Sequence, residues 1–189
     1  MRGSYCFYFM RIGHFELEGG SKMIQVYTGN GKGKTTAALG LALRASGAGL
    51  KVYIAQFAKG RTYSELVALK KIKNIEVEQF GRRCFIKAKP DKQDIKLACA
   101  GLEKIKKLIL NNEYRLIILD EINIALKFKL ISLWEVLAIL KNASANTEIV
   151  LTGRYACPEI LKIADLVSEI KDKKHYYNKG VMARRGIEF

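Results

Sequence analysis

A glycine-rich loop between a strand-like and a helix-like segment is the feature that most constrains how this chain can fold. Residues 29–36 read GNGKGKTT, the β-branched run Ile24–Thr28 precedes them, and the alanine- and leucine-rich segment Thr35–Ser46 follows. Glycines let backbone N–H groups point at phosphate oxygens, and the N-terminus of the following helix adds a positive dipole. Lys34 supplies a cation, and the Thr35 hydroxyl can bind a magnesium ion. The pattern therefore predicts a loop that holds the phosphates of a nucleotide.

The loop departs at one position from the usual phosphate-loop pattern G-x-x-x-x-G-K-[ST]. That pattern places its first glycine five residues before Gly33, where this chain has Thr28. The remaining positions and the strand–loop–helix context fit the pattern. A glycine turn without a ligand is the alternative, and the lysine and threonine that follow the last glycine argue against it.

Strand-like and helix-like segments alternate along the rest of the chain. Short β-branched or continuous apolar runs predict strands at Lys51–Phe57, Ile75–Phe80, Leu116–Leu119 and Glu148–Leu151. Helical spacing of apolar residues and a proline in a first turn predict helices at Asp91–Leu110, Ser132–Lys141 and Glu159–Ala164. Continuous apolar strands separated by helices indicate a mainly parallel sheet with helices on both faces. The expected fold is therefore α/β, a single RecA-like P-loop NTPase domain.

The predicted strand Leu116–Leu119 leads into two acids, Asp120 and Glu121. Open α/β sheets bind their ligands at the carboxyl ends of the strands. A carboxylate there can hold the magnesium ion of a bound nucleotide, directly or through water. Apolar runs that end in acids are common, so this signal gains its weight from the glycine loop. Together the two elements predict that the nucleotide binds with a metal.

Composition gives only coarse information on the location of the protein and on the kinds of ligand it binds. Residues 1–22 resemble a vector-derived or dispensable leader, which leaves 23–189 as the folded domain. A formal net charge of +15 indicates attraction to anions without naming them. Four widely spaced cysteines argue against a structural zinc site and against a disulfide framework. No apolar stretch is long enough for a membrane span, so we expect a cytoplasmic protein.

Several runs of the chain resemble those of the P-loop ATP:corrinoid adenosyltransferases, and they occur in the family's order. The first is the loop itself, from Tyr27 to Ala38, including the threonine in place of the first glycine. The others read QFAKG, LDEIN, LTGR, ADLVSE, KH, KGV and GIEF, beginning at Gln56, Leu119, Leu151, Ala164, Lys174, Lys179 and Gly186. The resemblance covers essentially Met23 to Phe189.

The resemblance implies an enzyme that transfers the 5′-deoxyadenosyl group of ATP to the cobalt of a reduced corrinoid and releases triphosphate. Cobalt in its lowest oxidation state is itself the nucleophile, so no nucleophilic side chain or general base is required. In this family ATP lies along the loop in the reverse sense to ordinary P-loop proteins, which presents its 5′ carbon to the acceptor. The resemblance also implies magnesium as cofactor, a homodimer and a flavoprotein as the reductant.

The family motifs also imply roles for individual residues. Thr35 and Glu121 are the expected magnesium ligands, with Asp120 as their structural partner. Lys34, Glu121 and Phe85 are the expected catalytic residues, and Phe85 is expected to press on the lower face of the corrin. Trp134 lies in an apolar helical segment and is expected in the core. The expected nucleotide contacts are Gly29, Asn30, Gly31, Lys32, Gly33, Lys34, Thr35, Thr36, Arg44 and Arg154.

Two other interpretations remain open. A kinase of a small molecule or nucleoside would need a base for its second substrate and a lid of arginines, for which Arg82 and Arg83 are available. An ATPase that binds nucleic acid through its positive charge would show strongly salt-dependent binding. The sequence has no aromatic-interleaved basic motif of a known nucleic-acid reader, so we do not expect nucleic acid as a partner.

Overall fold

Six strands and the helices between them make up the described chain, which comprises residues 22–61, 63–82 and 90–189 of a computed structural model. The predicted leader, apart from Lys22, the predicted corrin contact Phe85 and the candidate lid residue Arg83 lie outside these residues. The strands are β1 Met23–Thr28, β2 Val52–Phe57, β3 Ile75–Phe80, β4 Leu116–Asp120, β5 Glu148–Thr152 and β6 Leu166–Glu169. The helices are α1 Lys34–Gly47, α2 Ser64–Leu69, α3 Lys92–Asn111, α4 Ile122–Lys127, α5 Leu133–Lys141 and α6 Pro158–Ile163. A 3₁₀ turn spans Tyr176–Lys179.

All paired strands run parallel, in the order β3-β2-β4-β5-β1-β6. Strand β5 lies between β1, which leads into the glycine loop, and β4, which leads into the two acids. Gln56 pairs with Asp120 and Tyr27 pairs with Thr152, so these strands finish at nearly the same level. Because the carboxyl ends of parallel strands meet at one edge, the glycine loop, the acids and the residues after β2 and β5 come together.

Alternate residues of the strands pack against helices on opposite faces of the sheet. On one face, Ile54 and Val150 cluster with the buried alanines of α1. On the other face, Leu119 and Leu151 cluster with buried residues of α3, α4, α5 and α6. Burying each such side chain contributes about 1.5–3 kcal/mol relative to leaving it exposed. The predicted α/β fold, with a parallel sheet covered on both faces, is confirmed.

Three short elements and one side chain differ from the sequence expectations. Helices α2 and α4 and strand β6 were not predicted, and β6 is exposed along its length, so it lacks the apolar pattern of a buried strand. Trp134 is 78% exposed, and the expectation that it lies in the core was wrong. Helix α5 buries Val136, Ile139 and Leu140 instead, which leaves Trp134 on its outer side.

The longest described helix, α3, is fixed at its N-terminus by a capping box. The Asp91 side chain accepts the N–H groups of Gln93 and Asp94, and the Asp94 side chain accepts the Asp91 N–H. Arg82, just after β3, donates to both carboxylate oxygens of Asp94 at 2.6 and 2.8 Å. These contacts tie the end of β3 to the start of α3. None of the described helices, α3 included, has both the length and the apolar character to cross a membrane.

Candidate nucleotide site

The glycine loop makes its sharp turn at Gly29 rather than at Thr28. Thr28 is the last residue of β1, while Gly29 has a φ of 94° in the left-handed region. A Cβ on Gly29 would lie 2.4 Å from the Ile170 carbonyl oxygen, so no larger residue fits there. The Gly31 N–H donates to that same oxygen at 2.7 Å. Thr28 therefore keeps the extended backbone of a strand, which threonine adopts without strain.

Helix α1 presents an uncapped N-terminus to the space above the sheet. No side chain caps it, and its first turn carries no acid. Its free N–H groups and dipole therefore favour an anion at this position. Lys34, in the first turn, is only 8% exposed, and its Nζ donates to the Gly31 carbonyl at 2.6 Å. Burial is the main cause that lowers the pKa of Lys34, and the nearby Glu121 carboxylate acts in the opposite direction.

The Asp120 carboxylate, at the end of β4, is buried and accepts hydrogen bonds from four side chains. The hydroxyls of Thr35 and Thr152 donate to Oδ1 at 2.9 and 2.7 Å. The Lys59 ammonium and the Gln56 amide donate to Oδ2 at 2.7 and 3.2 Å. With both oxygens occupied in this way, Asp120 acts as a structural partner that holds Thr35 in place.

Glu121, the next residue, lies at a sharp turn beside Thr152. Its φ of 60° turns the chain sharply between β4 and α4, and its N–H donates to the Thr152 hydroxyl at 2.9 Å. Burial is the main cause that raises the pKa of Glu121, and the charge of Asp120 acts in the same direction. The charges of Lys59, Lys34 and Arg154 oppose that rise.

A magnesium ion fits the donors that surround the loop. The Thr35 hydroxyl and the Glu121 carboxylate are hard oxygen donors, the type that magnesium prefers. Within the described ranges, no group of three or more His, Cys, Asp or Glu side chains could hold a metal by itself. Magnesium usually binds through one or two protein oxygens and completes its shell with phosphates and water. The donor set therefore suits an ion that arrives with a nucleotide.

A cavity of about 1070 Å³ extends from the loop across the carboxyl edge of the sheet. Along α1 it is lined by Thr36, Leu39, Gly40 and Leu43. At the ends of β4 and β5 it is lined by Glu121 and Arg154. A second group of lining residues comes from the end of the chain, Gly186 to Phe189. The cavity thus joins the uncapped helix end, the acidic strand end and an apolar groove along α1.

The remaining predicted nucleotide contacts lie in two places, most of them around the cavity and Arg44 farther along α1. Asn30, Gly33 and Thr36 line the cavity, as does Arg154, which follows β5 and is exposed. Arg44 is exposed in the last turn of α1, roughly 15 Å along the axis from Lys34.

Lys32 lines the cavity but turns its ammonium toward the C-terminal segment. Its Nζ donates to the Tyr176 hydroxyl at 2.6 Å and to Glu188 at 2.9 Å. Glu188 also accepts the Tyr176 hydroxyl proton and the Arg184 N–H. We call Lys32, Tyr176, Arg184 and Glu188 the tail cluster.

Several residues at the site had no role predicted from the sequence. Lys59, Gln56 and Thr152 bond Asp120, and Glu188 bonds Lys32. All four lie in the runs QFAKG, LTGR and GIEF that carry the family resemblance. Those runs were the available signal, but neither spacing nor composition shows which loop residue a side chain 61 or 156 positions away will contact.

Comparison with known proteins identifies the family to which the chain belongs. The model of the family described as "ATP:corrinoid adenosyltransferase BtuR/CobO/CobP" matches residues 20–189. The chain is 34% identical over 169 residues to the corrinoid adenosyltransferase of Pseudomonas aeruginosa, and 36% identical over 171 residues to that of a Sinorhizobium species. It is 33% identical over 168 residues to that of Escherichia coli K12. These alignments cover 88% of this chain and 83%, 80% and 85% of the three relatives. On this match over nearly its whole length, the chain belongs to the ATP:corrinoid adenosyltransferase family.

Proposed function

We propose that this protein transfers the 5′-deoxyadenosyl group of ATP to the cobalt of a reduced corrinoid. The observation that supports this most is the arrangement around α1. An uncapped helix end with buried Lys34 faces the Glu121 carboxylate, and an apolar groove leads away from them along the same helix. Such a site can hold a triphosphate at one end and a nucleoside at the other.

The reaction requires the protein to stabilise a leaving group rather than to supply a nucleophile. The electron pair of the reduced cobalt attacks the 5′ carbon of ATP and forms a cobalt–carbon bond. The bond between that carbon and the triphosphate oxygen breaks, and its electron pair leaves with the triphosphate. Lys34, Arg154 and the N–H groups at the start of α1 are placed to stabilise that negative charge.

Magnesium, held by Thr35 and Glu121, would supply further positive charge to the triphosphate when it is bound. The hydrogen bond from Thr35 to the buried Asp120 fixes the hydroxyl for this role. Burial raises the pKa of Glu121, and the positive charges of Lys59, Lys34 and Arg154 act against that rise. In our proposal these residues bind and orient the nucleotide, and none of them takes or gives a proton.

We propose that the adenosine lies along α1. Leu39 and Leu43 form the wall of the cavity on that side, and Leu43 is half exposed. Apolar side chains of this kind can pack against a purine ring. Arg44 is exposed one residue beyond Leu43, and we propose that it contacts the nucleoside there. As the family resemblance implies, we expect ATP to lie along the loop in the reverse sense, with its 5′ carbon and not its terminal phosphate toward the acceptor.

The corrin side of the reaction follows from the family resemblance. We propose that Phe85 packs on the lower face of the corrin, that a flavoprotein supplies the electrons, and that the enzyme is a cytoplasmic homodimer. We also propose that residues 23–189 form the catalytic domain and that 1–22 are dispensable for transfer.

The kinase interpretation is less well supported because Arg82 is engaged elsewhere. Its guanidinium donates to both oxygens of Asp94 and lies 2.6 Å from an oxygen of Asp91. A residue held at the N-terminus of α3 in this way serves the fold, whereas a kinase lid needs arginines that can move onto a phosphate.

A direct assay distinguishes adenosyl transfer from phosphoryl transfer. The protein is incubated with ATP, magnesium and chemically reduced cobalamin, and both the corrinoid spectrum and the phosphate products are followed. We expect the spectrum of adenosylcobalamin to develop together with an equal amount of triphosphate. ADP and phosphate formed in the absence of any corrinoid would contradict the proposal and favour a kinase or an ATPase.

A further inference from the structure

Lys59 is directed into the nucleotide site by a sharp turn that immediately follows β2. Ala58 has a φ of 53°, a left-handed conformation that a non-glycine residue adopts only when its surroundings impose it. Here the loop after β3 packs directly against the turn. A Cβ on Gly81 would lie 2.4 Å from the Lys59 backbone nitrogen, so the two loops touch at backbone level. The backbone of Lys59 is therefore fixed by the fold.

The Lys59 side chain ends between the residues that frame the proposed magnesium site. Its Nζ lies 2.7 Å from Asp120 Oδ2 and 3.1 Å from Thr35 Oγ1. The side chain is 16% exposed and its partner Asp120 is 1% exposed. Glu121 also lies close enough for its charge to act on Lys59. One ammonium thus neutralises a buried carboxylate and contacts the hydroxyl that is expected to bind the metal.

The contact with Thr35 conflicts with metal binding at the same oxygen. The Thr35 hydroxyl gives its proton to Asp120, so only its lone pairs are available to a cation. Lys59 now approaches those lone pairs, and magnesium would need one of them at about 2.1 Å. Two positive charges on one oxygen repel each other strongly in a partly buried site. When magnesium binds Thr35, the Lys59 ammonium has to move away from it.

We propose that the Lys59 ammonium, held by its salt bridge to Asp120, occupies the position beside the Thr35 hydroxyl until magnesium–ATP binds. In the nucleotide-free protein it bonds Thr35 and Asp120 and so lowers the affinity for free magnesium. When magnesium–ATP binds, its ammonium leaves Thr35, keeps Asp120, and can turn toward the incoming phosphates. Lys59 is thus a positioning residue that makes the site select magnesium bound to ATP over the free ion. This inference rests on the magnesium site proposed above.

The proposal predicts a reversal of magnesium response when the charge is removed. In Lys59→Met the buried Asp120 carboxylate has no cation beside it, and an unpaired buried charge is strongly unfavourable. A divalent cation can then take the vacated place. We expect free Mg²⁺, without any nucleotide, to raise the thermal midpoint of Lys59→Met by about 4 °C. Wild type should gain less than about 1 °C under the same conditions.

Binding of Mn²⁺, followed by its electron paramagnetic resonance signal, measures the same effect directly. Nucleotide-free Lys59→Met should bind Mn²⁺ at least about tenfold more tightly than wild type does. Lys59→Arg keeps a cation beside Asp120 and should behave as wild type. Lys51→Met is the matched control, because Lys51 is exposed and pairs with Glu113 away from the site. Lys59→Gln, which keeps a donor to Asp120 but not the charge, tests the same point if the methionine variant does not fold.

Equal responses of wild type and both uncharged variants to Mg²⁺ and Mn²⁺ would overturn the proposal. So would a wild-type protein that binds free Mn²⁺ as tightly as the variants do. The experiment contains no ATP and no corrinoid, so either result leaves the assay of adenosyl transfer unaffected. Failure of that assay, in turn, would not alter the response to the free ions.

Discussion

Two carboxylates bind lysines at the glycine loop, one inside the protein and one at its surface. Asp120 is 1% exposed and bonds Lys59 together with the Thr35 hydroxyl. Glu188 has a side chain 17% exposed and bonds Lys32, itself 41% exposed, together with the Tyr176 hydroxyl. Both places combine a carboxylate, a lysine and a hydroxyl group. The difference lies in how much water can replace each partner.

A carboxylate, a lysine and a hydroxyl hold one another more strongly where water cannot reach them than they do near the surface. Removing a partner from a buried pair leaves a charge that water cannot reach, so the arrangement around Asp120 is strongly held. In a partly exposed pair, water and salt compete for the charges, so the contacts of Glu188 are held less strongly than those of Asp120. We infer that Lys59 stays paired with Asp120, while Lys32 can leave the tail cluster for a phosphate.

The largest effect is expected from the cation that neither carboxylate binds. Lys34 has no salt-bridge partner among the described residues and donates only to the Gly31 carbonyl. Lys34→Ala should lower kcat for adenosyl transfer by about 100-fold or more, since it removes a charge that stabilises the leaving triphosphate. Circular dichroism should show an unchanged fold, because no large apolar side chain is lost. A variant with normal kcat would show that the loop does not bind the triphosphate.

The next variant tests whether the Asp120 cluster is as strongly held as its burial indicates. Asp120→Asn keeps the shape of the side chain but leaves Lys59 beside a neutral group. We expect the free energy of unfolding to fall by about 3 kcal/mol, measured by chemical denaturation. The matched control is Glu113→Gln, which removes an exposed carboxylate from its pair with Lys51. If both variants lose equally little stability, the contrast between buried and exposed pairs does not hold.

The smallest effect on stability is expected from the tail cluster. Hydrogen bonds from Lys32 and then Tyr176 lower the pKa of Glu188, so its contacts persist at neutral pH and are lost as the pH falls through that lowered pKa. Glu188→Gln should shift the thermal midpoint by no more than about 2 °C. It should also raise the affinity for ATP about two- to threefold at low salt, because Lys32 is released. A stability loss as large as that of Asp120→Asn would remove the distinction.

The parts of the fold that follow from local patterns were predictable from the sequence. The buried strands and the longer helices were predicted close to their observed bounds because each carries an apolar pattern of the right period. Strand β6 escaped because its residues are exposed at a sheet edge. Trp134 was misplaced because the apolar segment around it does not reveal which side of α5 faces the core.

Some residues of the site were likewise predictable from local sequence patterns, and others were not. The glycine loop and the acids of β4 were predictable because each is a contiguous motif next to a strand. Lys59 was not, because its direction depends on the left-handed turn at Ala58 and on Gly81 from another loop. Glu188 was not, because it lies 156 positions after Lys32 in the sequence and meets it only in the folded chain. Contacts of this kind follow from tertiary structure and not from spacing.

The central claim is that ATP and magnesium bind together between the glycine loop and Glu121. Isothermal titration of ATP, with magnesium and then with the metal removed by chelation, tests it on wild type and on Glu121→Gln. We predict that removing magnesium weakens ATP binding to wild type at least about tenfold and leaves the affinity of Glu121→Gln nearly unchanged. ATP binding to wild type that is equally tight with and without magnesium, or no binding in either case, would contradict the account.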